Sequence, residues 1–313
     1  YILKQKEMED ASTVEGKLIH CLLLQPDKFD DEFLVTDEGT ISGKGKQLVD
    51  GLFEYVTAGT DKEYWKNFDE ASLPKMSDFE SVILDLTNSL EYFQKMEATA
   101  RVNKIANDPK LVAYWNNCFQ AMRKTIISRE MLVNAAGVVQ KIQTNPYLRE
   151  IMGINTLEMG TNILAYNEMH LYDELDGVYM FGIHGVIDNL VIDHDQKIIR
   201  VNDLKTTSKD ISRFKEAIDY FNYDLQLAHY AMLILNNPMY KTLMDDQGYT
   251  LEARFIVVDC YAQIAPIKLS SETLASAIDR LSEKYEQANY HLIYRDFTLP
   301  YEFVRLENHE MVI

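Results

Sequence analysis

The chain has 313 residues, 31 Lys and Arg against 49 Asp and Glu, and a net charge of −18. Apolar types make up 47% and charged types 26%, the mix of a soluble globular protein with enough material for one large core or two modest ones. So acidic a chain is not a general coat for nucleic acid or an anionic membrane, since both call for a net basic surface, although basic residues confined to one groove would still serve a nucleic-acid enzyme. The three cysteines, Cys21, Cys118 and Cys260, are scattered. They are too few for a cysteine-ligated iron–sulfur cluster and form no CxxC zinc pair, and their scarcity fits a reduced, cytoplasmic compartment. The longest apolar runs, such as Ala231 to Leu235, fall far short of the about 20 residues a membrane span needs. Tyr1 carries no signal pattern after it, which suggests a start inside a longer reading frame or after trimming.

In chain order, Ser12 and Thr13 are candidate N-caps for a helix carried by Val14, Leu18, Ile19, Leu22 and Leu23 and stopped near Pro26. Residues 36–60 read as loop plus a short helix. Residues 77–145 carry helical periodicity broken at Pro109 and Pro146, and so predict several helices. The character changes after about residue 160. Ile163–Tyr172, Val178–Asp193 and Lys197–Thr206 are rich in β-branched and aromatic residues and read as strands. Phe214–Leu235 returns to a helical period and stops at Asn236-Asn237-Pro238. Ala253–Cys260 and Ala262–Leu269 predict two more strands, and Ser270 or Ser271 caps a last helix to about Tyr290. The expected class is α/β, with a helical N-terminal half.

The chemistry concentrates in the second and third strands. His194-Asp-Gln-Lys197 suits a four-residue hairpin turn, and if Asp193 faces Ile198, then Asp188 lies opposite Asp203 on one face, with Lys205 beside it. Two carboxylates facing each other repel, and a divalent cation between them reverses that sign. Hard oxygen ligands describe a magnesium site, and a neighbouring lysine can orient a water, which together suggest metal-assisted phosphodiester hydrolysis. The same acid-x-Lys spacing at Glu15/Lys17, Asp108/Lys110 and Asp195/Lys197 lacks a facing aspartate and reads as solvated surface charge. Asp193 and His194 are sequence neighbours and would point to opposite faces of a strand, which argues against a zinc site with His184. No GxSxG segment and no P-loop is present.

At these residues the sequence resembles the PD-(D/E)XK nuclease superfamily. Gly185-Val-Ile-Asp188 matches its first acidic element and Asp203-Leu-Lys205 its second. Gln226-Leu-Ala-His-Tyr230 is similar to the QxxxY motif of the lambda-exonuclease-like and RecB-like branch, with Tyr223 three residues before Gln226. Near the start, Gly16, His20, Pro26 and Phe29 are spaced as in RecE-like exonucleases of phages and prophages. The resemblance implies a PD-(D/E)XK restriction-endonuclease-like core: a mixed central sheet flanked by helices, in a single nuclease domain over 1–313 with 40–150 a helical insertion or arch. It implies a Mg²⁺- or Mn²⁺-dependent DNA exonuclease without an iron–sulfur cluster, resecting duplex ends for recombination or repair in a bacterial or phage-infected cytoplasm. A homo-oligomeric ring and a single-strand annealing protein as partner follow from the same likeness.

Its implied ligands are Asp188, Asp203, the Leu204 carbonyl and His20, with Lys205 positioning water and Gln226 and Tyr230 contacting the scissile strand or holding the lysine. Thr206 and Thr207 could bond a phosphate, and Lys209, Arg213 and Lys215 could grip the backbone, though a solvated helix face accounts equally well for those three. Two alternatives stay open. One is a structure-specific endonuclease of the same fold. The other is a non-catalytic DNA-end-binding protein, against which the intact Asp188, Asp203 and Lys205 argue.

Overall fold

The computed structural model describes residues 11–36, 41–59, 73–121, 124–154, 162–295 and 301. The expected loop positions 37–40 and 60 lie outside them. The chain divides into two compact units, residues 1–22 with 26–137, and residues 23–25 with 138–313.

The first unit is mainly helical. Helix α1 spans Ala11–Leu24 and so begins before Ser12 and Thr13, which fall inside its first turn instead of capping it. After a short turn at Phe29–Glu32 come strand β1, Phe33–Thr36, and helix α2, Gly43–Thr57, which is longer than its Gly-rich sequence suggests. Helices α3, Glu80–Ser89, α4, Ala98–Ala106, and α5, Pro109–Ala121, bear out the helical reading of this stretch. Their apolar faces meet in one core, with Leu48, Leu52, Ile83, Ile105, Trp115 and Phe119 buried together. Arg101 is buried here too, and its guanidinium donates to Thr87 Oγ1, Asn88 Oδ1 and the carbonyls of Gln94 and Met96. Those bonds meet the cost of burying a charge. Strand β2, Thr125–Ser128, runs parallel to β1 with Phe33 opposite Thr125.

Helix α6, Arg129–Thr144, leads into the second unit, where α7, Pro146–Met152, starts on Pro146 behind an Asn145 side-chain cap. Gly153 closes α7 in the left-handed conformation, where a Cβ would lie 2.7 Å from that of Ala165, so glycine is required on both counts. Five strands follow: β3 Ile163–Asp173, β4 Ile183–Asp193, β5 Ile198–Thr206, β6 Thr250–Val258 and β7 Ile264–Lys268. They form one mixed sheet in that order, antiparallel except for the parallel β5–β6 pair.

The parallel pair needs a crossover, and helices α8, Phe214–Phe221, α9, Tyr223–Asn236, and α10, Pro238–Gln247, supply it. Asn236-Asn237-Pro238 ends one helix as expected but also starts the next, because the Asn237 side chain caps α10 and proline suits its first turn. Helix α11, Ser271–Tyr294, begins on Ser270, whose side chain accepts from the Thr273 amide. Leu227, Ala231 and Ile234 of α9 pack with Leu190, Ile192, Ile199 and Val201 in the main core on one sheet face. The alternate residues Asn189 and Asn202 face the other way, where they bond carbonyls of α7. The sheet is thus covered by helices on both faces.

Candidate active site

The β4–β5 hairpin has the register its sequence predicts. Asp193 pairs with Ile198 and the ladder runs to Asn189 opposite Asn202. There it stops, one residue short of Asp188 and Asp203. Beyond the last rung Asp188 reaches across to β5 by its side chain, Oδ2 accepting from the Leu204 amide at 2.8 Å. Leu190 and Ile187 both lie in the core under α9 although they sit three apart, so the in–out alternation of β4 slips at Asp188–Asn189. The partner strand is irregular at the same level. Asn167 pairs with Asn189 and Met169 with Ile187, and Glu168 between them adopts φ 52° in the left-handed region. Carboxylate oxygens of Glu168 and Asp188 come within 4.8 Å of one another.

On β5, Asp203 is fully buried, and its Oδ2 lies 2.7 Å from Lys205 Nζ, two residues on and on the same face. The ammonium also sits 5.2 Å from the centre of the Tyr223 ring, a cation–π contact. Gln226 Nε2 donates to the Tyr230 hydroxyl at 2.9 Å, the i,i+4 pairing their spacing predicts. Burial pushes the Tyr230 hydroxyl up to about 12; the Gln226 bond works against that, and the negative charges of Asp203, Asp188 and Glu168 add to it. One phenol therefore senses all three carboxylates. Helix α9 can come this close to the sheet because β4 has no side chain at Gly185, where a Cβ would lie 2.7 Å from Leu233 and 3.2 Å from the Tyr230 ring.

The second unit thus brings Asp188, Asp203, Lys205, Gln226 and Tyr230 together, with Tyr223 as a prop for the lysine. Three carboxylates gather near the Lys205 ammonium, an arrangement that a divalent cation would suit. The donors are all hard oxygens, the set that suits Mg²⁺ or Mn²⁺. Glu168 is the member the sequence reading missed. Its signal exists only once β3 is in register with β4, and the connection of residues 174–182 is too long to fix that register from sequence.

The other expected residues belong to several elements. His20 is half-buried on α1, in the first unit. Leu204 offers its amide to Asp188, and its side chain is buried. Thr206 ends β5 on an exposed position. Lys209 is exposed just beyond it, its amide bonded to Thr207 Oγ1. Arg213 is paired with Glu216 at 2.8 Å and Lys215 with Asp219 at 3.2 Å, all four well exposed, the pattern of a solvated helix surface. Asp193 is not part of this constellation. It is buried beside Arg200 at 2.9 Å and accepts from the turn amides of Asp195 and Gln196.

Comparison with known proteins agrees with this geometry. The family model described as the PD-(D/E)XK nuclease superfamily matches residues 88–293, which leaves His20 outside the match. Among solved structures, the chain is similar to a candidate exonuclease from Eubacterium rectale at 13% identity, covering 81% of this chain and 86% of that one, with a TM-score of 0.36. A likeness of that strength carries no argument of its own. No curated protein matches the sequence.

Proposed function

Because the chain belongs to the PD-(D/E)XK nuclease superfamily, whose model matches about two thirds of it, we propose that it is a divalent-metal-dependent deoxyribonuclease working as an exonuclease on duplex DNA ends. The observation that carries the reading is the meeting of Glu168, Asp188 and Asp203 with Lys205 where the β4–β5 ladder ends. A structural sheet has no reason to concentrate acid there, whereas a cation that is to hold a phosphate needs it.

Asp188 and Asp203 hold the metal, Glu168 adds a third carboxylate, and the Leu204 carbonyl is a further candidate ligand. His20 is retained as a ligand candidate on its motif spacing. When bound, the cation supplies Lewis-acid polarisation of the scissile phosphate. Lys205, held by Asp203 and the Tyr223 ring, orients the water that attacks phosphorus. Tyr230 accepts from Gln226 and so has its own proton to donate towards the phosphate; with its hydroxyl pushed up to about 12 it stays protonated through the neutral range. Thr206 and Lys209 are placed to meet the backbone just past β5, while Arg213 and Lys215 would have to exchange Glu216 and Asp219 for phosphates.

The RecE-like assignment, the end-resecting role in recombination or repair, the ring, the annealing partner and the bacterial or phage-infected cytoplasm belong to the same proposal. Their support is the Gly16–His20–Pro26–Phe29 and Gln226–Tyr230 spacings. The test is a time course with end-labelled linear duplex beside closed-circular DNA, with Mg²⁺ and with a chelator. Mg²⁺-dependent loss of the linear DNA alone is expected. Degradation of the circle would make the protein an endonuclease, and survival of both substrates would overturn the nuclease reading.

A further inference from the structure

Behind the three carboxylates the same strands carry three asparagines. Asn167 precedes Glu168, Asn189 follows Asp188, and Asn202 precedes Asp203. Asn189 and Asn202 are only 2% and 1% exposed, inside a sheet whose other buried positions are mostly apolar. Burying an amide is costly unless its hydrogen bonds are met, and, Asn202 Oδ1 excepted, these amides bond one another and nearby carbonyls. Asn202 Nδ2 donates to Asn189 Oδ1 at 2.7 Å, Asn189 Nδ2 donates to Asn167 Oδ1 at 2.9 Å, and Asn167 Nδ2 donates to the Leu24 carbonyl at 3.1 Å. The donors run in one direction across three strands. Asn202 and Asn189 also donate to the carbonyls of Ile151 and Met152 at 2.9 and 3.2 Å, in the last turn of α7, where carbonyls have no partner within the helix.

The location gives the ladder a consequence beyond packing. The backbone pairing of β4 with β5 ends at Asn189–Asn202, and that of β3 with β4 is interrupted at Glu168. At the level of the carboxylates the main chain no longer pairs β4 with β5 and skips one rung between β3 and β4, resuming at Met169 opposite Ile187, while the carboxylates themselves repel. The amide rungs lie one residue away from each acid, at the last backbone rung between β4 and β5 and at the rung beside the skipped one between β3 and β4. We propose that the Asn167–Asn189–Asn202 ladder is the positioning device that sets the separation of Glu168, Asp188 and Asp203, and through it the affinity of the metal site. The proposal rests on the nuclease reading only in taking those carboxylates as metal ligands.

The experiment is calorimetric titration of the full chain with Mn²⁺, the site being identified as the binding lost in Asp203→Asn. Asn189→Ala is expected to weaken that binding by about tenfold or more, in the range seen when outer-shell support of a metal site is removed. Asn167→Ala, at the more exposed rung where water can replace the amide, should weaken it by about threefold. This variant carries the test should Asn189→Ala fail to fold. Leu274→Ala, a core truncation in the same unit, should lower Tm and leave Mn²⁺ affinity unchanged. In DNA cleavage, excess Mn²⁺ should restore the Asn189→Ala rate with KM for DNA unchanged. Wild-type Mn²⁺ affinity in a folded ladder variant would overturn the proposal and leave the ladder a purely structural element. Mn²⁺ bound at this site by a wild-type chain that cuts no DNA would refute the nuclease reading while the ladder still stands or falls on the affinities. No Mn²⁺ bound at this site by the wild-type chain would overturn both.

Discussion

The two ends of the β4–β5 hairpin hold buried aspartates in opposite circumstances. At the turn, Asp193 has Arg200 at 2.9 Å and two backbone amides, so its charge and lone pairs are answered within the protein. At the open end, Asp203 pairs with Lys205, and two further carboxylates, Asp188 and Glu168, lie nearby. Burial is nearly complete in both places, so burial alone does not mark a functional acid. What separates them is the gathering of further carboxylates together with the end of the β4–β5 pairing. The closed end spends its polar groups on holding a turn, and the open end gathers carboxylates in a set that suits a cation.

That contrast can be broken from either side. The largest effect belongs to Asp188→Asn, which should reduce Mg²⁺-dependent cleavage by about a thousandfold in a rate assay while melting near the wild-type temperature. Next comes Asp193→Ala, which takes from buried Arg200 its nearest carboxylate, leaving Glu252 at 3.8 Å, and should cost about 3 kcal/mol in denaturant unfolding, with the rate per folded molecule kept. Lys205→Ala removes the water-orienting ammonium and should lower the single-turnover rate by about a hundredfold, with little change in DNA affinity.

The smallest effect is that of Tyr230→Phe, about tenfold in rate. It also sharpens the comparison through pH. The folded hydroxyl is raised from 10.0 to about 12, so the stability it contributes is full below pH 10 and is lost as pH rises towards 12. Urea unfolding across that window should show Tyr230→Phe losing less stability than the wild type.

The open end was readable from sequence because a four-residue turn fixes register, and strand alternation then puts Asp188, Asp203 and Lys205 on one face. The i,i+4 spacing of Gln226 and Tyr230 was readable for the same kind of reason, as was the Ser270 cap. Glu168 was not, because its position depends on a partner strand reached through a long connection and on a left-handed residue that no local pattern announces. Strands β1 and β2 were missed because four residues give too little alternation to count, and their pairing joins positions far apart in the chain. Helix α10 was hidden by a proline that reads as a stop and acts as a start. The asparagine ladder was invisible for a further reason: single amides in strands look like weak strand formers until the neighbouring rungs are in place.

The most direct test sets the two ends against each other in one assay. Asp203→Asn and Asp193→Asn are compared for Mg²⁺-dependent cleavage of linear duplex DNA, each rate divided by the fraction of folded protein. Loss of about a thousandfold for Asp203→Asn, with a near wild-type rate for Asp193→Asn, is the predicted result. A wild-type rate from folded Asp203→Asn would contradict the account.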